Sequence, residues 1–109
     1  MNYSDIFPIY EQLNSVKKYS PLVQDLTKAA TRYARIRVDW LMTKPEDRLQ
    51  IDRSRSFAHD SFIDSCNILS RNMAKNGDDI TWRTKIGDDR KSIGDFACFL
   101  HCYLGIKAR

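Results

Sequence analysis

Residues 20–43 read Ser20-Pro21-Leu22-Val23-Gln24-Asp25-Leu26-Thr27-Lys28-Ala29-Ala30-Thr31-Arg32-Tyr33-Ala34-Arg35-Ile36-Arg37-Val38-Asp39-Trp40-Leu41-Met42-Thr43. Leu22, Leu26, Ala29, Tyr33, Ile36 and Trp40 recur every three or four residues for roughly five turns, the spacing that keeps one face of an α-helix apolar. Lys28, Arg32 and Arg35 fall on the opposite face. Ser20 followed by Pro21 reads as an N-cap and a first helical residue, because proline lacks only the N–H that a first turn leaves unbonded. The stretch therefore predicts one long amphipathic helix ending near Thr43.

Outward from it the same period continues. On the N-terminal side, Ile6, Ile9, Leu13 and Val16 mark a helix over about 5–18, with Pro8 confined to its first turn. On the C-terminal side, Thr43-Lys44-Pro45-Glu46 has the spacing of a capping box and opens a third segment. That segment runs to Asn76-Gly77, a helix stop, with room for a break near Asp52 or Ser54. Its buried stripe reads Ala58, Phe62, Cys66, Leu69 and Met73, with Ile63 beside it. A short turn of helix over 81–86 closes at Gly87. A last helix starts near Asp88 or Asp89, ends at Gly105, and buries Ile93, Phe96, Ala97, Leu100 and Leu104. No stretch alternates with period two for long enough to make a strand. The expected fold is all-α: one domain over 1–109, an antiparallel bundle of about four main helices plus one short helical turn. The two central helices are expected to pack through Tyr33, Trp40, Phe62 and Leu69.

Composition bounds the function classes. The 109 residues are 42% hydrophobic and 29% charged, which is ordinary for a globular domain and too apolar for disorder. Net charge is +4, from 18 basic and 14 acidic residues. That excess permits an acidic or nucleic-acid partner without requiring one. The longest apolar run, Phe96 to Leu100, is far short of a membrane span. The first residues lack the basic-then-apolar pattern of a signal peptide, and three cysteines in helical sequence suit a reducing compartment. A cytoplasmic setting is the expectation.

Five groups of residues carry possible chemistry. Arg53 and His59, with five residues between them, resemble the Arg-x4–6-His motif of the HEPN ribonuclease superfamily. The resemblance implies a metal-independent ribonuclease in which His59 acts as acid or base while Arg53 stabilises phosphorane charge. His59-Asp60 also has the form of an HD phosphohydrolase dipeptide, but the chain has only two histidines, too few for that ligand set. Cys98, His101 and Cys102 lie within two turns of the last helix and would need Cys66 and His59 to complete a zinc site. They lack knuckle spacing, so small buried hydrophobes are the simpler reading. Lys28, Arg32 and Arg35 form a basic stripe that reads either as a solvated face or as a track for phosphates. Asp88, Asp89, Arg90 and Asp95, with Arg83 nearby, form a charge cluster. Asp95 between Gly94 and Phe96 is half-buried and needs a cationic partner, most simply an Arg on another helix. Gly94, inside a helix, points to close packing there. No cofactor motif is present.

The blocks Arg55-Ser56-Phe57-Ala58-His59-Asp60-Ser61-Phe62-Ile63-Asp64 and Gly87-Asp88-Asp89-Arg90-Lys91-Ser92-Ile93-Gly94-Asp95-Phe96-Ala97-Cys98 resemble a small family of Gram-positive bacteria and their mobile elements. The family has no assigned activity, so the resemblance implies a setting and no functional residues. The function expected from the residues is protein–protein interaction by a small accessory or regulatory module, with a homodimer as one form. Tyr3, Phe7, Tyr10, Tyr19, Phe99 and Tyr103 are more aromatic residues than one small core needs, which suits an interface. A nucleic-acid-binding module and the HEPN-like ribonuclease are the alternatives.

Overall fold

Proline is admitted only in the first turn of a helix, and α1 (Ser20–Met42) begins one residue before Pro21. The computed structural model describes residues 16–107, with side chains as far as Tyr103. After α1 come a 3-10 turn (Pro45–Asp47), α2 (Leu49–Lys75), α3 (Thr81–Ile86) and α4 (Arg90–Lys107). There is no strand among the described residues, and the fold is an all-α bundle. The helix expected over 5–18 lies outside the described residues except for Val16, Lys17 and Lys18, which form a turn. Val16 accepts the backbone N–H groups of Tyr19 and Ser20 and packs on the core.

α1 is the hub. It packs against α2 on one side and α4 on the other, and α3 fills in between α2 and α4. Contacts of Trp40 with Asp52, Tyr33 with Phe62 and Tyr19 with Asp78 show the two long helices running antiparallel. The core closes around Tyr33, Phe62 and Phe96, one ring from each large helix, with centroids 6.4 Å and 5.9 Å apart. Phe62, Cys66, Leu69 and Met73 are buried on α2, and Ile93, Phe96, Ala97 and Leu100 on α4, as their spacing predicts. Leu104 lies beyond the described side chains.

Three expectations need correction, each for a tertiary reason. First, the buried face of α1 is Val23, Leu26, Ala30, Tyr33 and Ala34, while Leu22, Ala29 and Ile36 are only partly buried. A helix covered on two sides buries a wider arc, and its centre is shifted toward α4. Second, Trp40 is not a core residue. Its ring is held between the guanidinium groups of Arg48 and Arg55, 4.1 Å and 4.2 Å from the centroid, and its Nε1 donates to Asp52. Third, Thr43 to Glu46 does not act as a capping box. The Thr43 hydroxyl donates back to the Asp39 carbonyl, and Arg48 Nε donates to the carbonyls of Trp40 and Thr43. These residues satisfy the end of α1 rather than the start of α2. The break placed near Asp52 or Ser54 falls instead at the 3-10 turn, and α2 is continuous.

The other boundaries follow local chemistry. α2 ends in a Schellman motif: Asp78 N–H donates to Met73 and Gly77 N–H to Ala74, with Gly77 at φ +78°. Asp79 accepts the Thr81 N–H at the start of α3, and these bonds hold its carboxyl below the ordinary aspartate value. Asp89 does the same at the start of α4 through Ser92 N–H, with the same effect on its carboxyl. The helix expected to stop at Gly105 continues to Lys107. Tyr19 donates its phenolic proton to Asp78, joining the entry of α1 to the exit of α2. That bond, with burial, raises the Tyr19 pKa above its ordinary 10.0.

Truncating Phe62, which is fully buried at the three-helix junction, is expected to cost about 3–5 kcal/mol in urea unfolding. Because the folded state holds the Tyr19 proton more tightly than the unfolded chain does, its contribution is complete below pH 10 and is lost as pH rises through the raised value. A Tyr19→Phe variant should therefore lose less stability than the native chain between neutral and strongly alkaline pH, measured by thermal melts across that range.

Candidate functional site

Arg37 lies on the buried side of α1, where a guanidinium needs an acceptor. It finds Asp95 on α4 at 3.2 Å and Cys98 Sγ at 3.6 Å. Gly94 makes this possible, since a Cβ there would lie 2.6 Å from Arg37 Cζ. The in-helix glycine thus serves close packing, and Asp95 has the interhelical arginine its position requires. Burial alone would lower Arg37, but the bonds to Asp95 and Cys98 outweigh it and hold the group above its ordinary value. The remaining charges do not form one network with this pair. Arg83 bonds Asn67 Oδ1, the Gly87 carbonyl and Asp88, pinning α3 between its neighbours, and Arg90 donates to Ser56.

Cys98, His101 and Cys102 line one open groove of about 400 Å³ with Ala34, Arg35, Val38 and Asp39. His101 Nδ1 lies 3.4 Å from the Thr31 hydroxyl. Among the described residues no three His, Cys, Asp or Glu side chains converge as metal ligands. Cys66, needed to complete a zinc site, is buried in the core, and burial pushes its thiol up to about 12.

Arg53 and His59 share α2 but not a direction. Six residues at 3.6 per turn set them about 120° apart. Arg53 is exposed on the outer face. His59 turns inward, its ring edge-on to Tyr33 at 5.4 Å and its Nδ1 3.1 Å from Asp60. The structure does not bring the two together.

Arg53 instead lines a second groove, between α1 and α2, with Arg32, Ile36, Ser54, Phe57 and Ala58. The groove encloses about 490 Å³. Phe57 stands at its edge and is 63% exposed, although it is an aromatic residue in mid-helix. No ion pair joins Arg32 or Arg53 to any described residue. Lys28, Arg32 and Arg35 are all exposed on the outside of α1, where Asp25 and Asp39 are exposed too. The stripe is therefore mixed in sign along its length. Arg35 faces the α4 groove and Arg32 the α2 groove.

Phe57 was hidden in the sequence by its neighbour. It precedes Ala58 on the buried stripe and is about 100° out of phase with it, and that offset is the signal. The signal for Arg37 was its place four residues after Tyr33, on the inward side of α1. A scan against protein-family models found no match, and searches of curated proteins and of solved structures found no similar chain.

If Gly94 exists to admit Arg37, the pair should depend on it. A double-mutant cycle between Arg37→Ala and Asp95→Ala should give a coupling of about 0.5–1 kcal/mol, the range for a partly exposed pair. In a Gly94→Ala background the coupling should vanish. Gly94→Ala alone should change stability by less than about 1 kcal/mol, because the gain in helix propensity offsets the displaced guanidinium.

Proposed function

We propose that this chain is an interaction module that binds another polypeptide through the outer surface of α2 and its groove with α1. The observation that carries the reading is Phe57, 63% exposed beside a groove walled by Ile36 and Ala58 and edged by Arg32 and Arg53. An exposed aromatic beside arginines is the composition of interface centres rather than of general surface. Leu41, Met42 and Leu49, 61–83% exposed around the α1–α2 connection, add apolar area at the same end of the bundle. The cytoplasmic, bacterial setting implied by the C-terminal blocks is part of this proposal.

Nucleic-acid binding has less support. Lys28, Arg32 and Arg35 are free to meet phosphates, but Asp25 and Asp39 on the same face would oppose a phosphate track. The ribonuclease reading has less again, because Arg53 and His59 point apart.

A photo-crosslinking phenylalanine at position 57 tests the proposal. In cells making the protein at its native level, position 57 should give discrete polypeptide adducts, and the same probe at exposed Lys91 on α4 should not. Equal labelling from both positions, or none from either, would sink the reading.

A further inference from the structure

We infer that Cys98 and Cys102, on the α4 side of α1 and away from the surface proposed above, form a two-coordinate site for a soft monovalent cation of the Cu(I) class. Both thiols line the groove between α1 and α4, and neither belongs to the core. Cys98 is half-buried and Cys102 is exposed. The reading of the cysteines as small buried hydrophobes therefore holds for Cys66 and fails for this pair.

Helix geometry decides what the pair can do. Residues four apart on one helix have Cβ atoms roughly 5–6 Å apart. A disulfide needs about 3.5–4.5 Å between them, so α4 would have to distort before the two thiols could oxidise to one another. A bridge through a metal reaches further. A thiolate–metal bond is roughly 2.3 Å long, so a linear sulfur–metal–sulfur unit sets the sulfurs about 4.6 Å apart. Two thiols on adjacent turns meet that span by choice of χ1 rotamer alone.

Ligand number and softness fix the class of metal. Zinc takes four protein ligands in a structural site and three plus water in a catalytic one. Among the described residues no third His, Cys, Asp or Glu converges with the pair. Thiolates select soft ions over hard ones, and Cu(I) is satisfied by two sulfurs in line.

The surroundings suit the charge that results. Two thiols and one monocation give a bis-thiolate unit with one net negative charge, and both thiol protons leave to solvent. Arg37 Nη1 already lies 3.6 Å from Cys98 Sγ. Asp95 and the room at Gly94 hold it there, and it donates to the sulfur as outer hydrogen bonds do around metal ligands. Arg35 and Asp39 bring opposite charges to the groove, and Ala34 and Val38 give it apolar walls. Those walls suit a soft cation better than a hydrated hard one.

Anaerobic titration of the reduced full chain against the bicinchoninate complex of Cu(I) tests this. The native protein should withdraw one Cu(I) per chain, and X-ray absorption of the product should show two sulfur neighbours and no nitrogen. Affinity should fall steeply as pH drops, because two protons compete with the metal. Cys98→Ser and Cys102→Ser should each weaken binding at least a hundredfold. Both positions lie outside the core, so helical content by circular dichroism should stay native in these variants. Cys66→Ala should bind as the native chain does, since that thiol is buried and burial pushes it up to about 12. A native chain that takes no Cu(I) would overturn the inference, as would binding that survives either serine substitution. One Cu(I) per two chains would show a bridge between molecules and overturn it as well. Zn(II) held as tightly as Cu(I) would reveal further ligands and exclude the two-coordinate site.

Discussion

α1 must be covered on two sides at once, and most of the architecture follows from that constraint. A helix with one neighbour buries a narrow stripe, whereas α1 serves both α2 and α4 and buries Val23, Ala30 and Ala34 beside Leu26 and Tyr33. Arg37 falls inside the widened arc, and a charge there is tolerable only with acceptors in place. Asp95 and Cys98 supply them, and Gly94 supplies the space. One glycine thus leaves the room in which a partly buried guanidinium meets its acceptors between two helices.

The period of 3.6 made the helices legible, and their ends were legible wherever the stop was local. Gly77 and Gly87, both at φ +78°, and Asp89 at the start of α4 are cases in which one residue's own chemistry sets the boundary. The connection between α1 and α2 was not legible. Thr43-Lys44-Pro45-Glu46 satisfies the spacing of a capping box, yet Arg48 reaches back to the carbonyls of α1 and stacks on Trp40. A side chain returning from the next helix competes with the local motif, and no local pattern encodes that competition. Trp40 was misplaced for the same reason. Its spacing matches the stripe, but two arginines and Asp52 hold it at the bundle's edge.

The same physics separates what was visible of the site from what was not. The need of Asp95 for an arginine was readable because burial of a carboxylate has a fixed consequence. The relation of Arg53 to His59 was not, because a gap of five intervening residues is compatible with several motifs while helical geometry turns the two apart. Phe57 lay between these cases. Its phase was plain, but phase alone does not tell a solvent-facing residue from one facing a further neighbour.

The groups able to do acid–base or thiol chemistry are largely engaged. His59 lies against Tyr33 and Asp60 with its Nε2 buried and without a hydrogen-bond partner, while His101 lies beside Thr31, Cys66 within the core and Asp79 and Asp89 at helix starts. On the outer face of α2 and its groove with α1, an exposed aromatic ring stands near two arginines and an aspartate that form no ion pair with a described residue. Each gives up hydration when covered, and only a partner of matching shape and opposite charge compensates the loss. Arg53 and Asp64 cannot satisfy one another within one chain, since three turns of helix keep them apart. A partner that covers this face must therefore offer a separate, opposite charge to each of them.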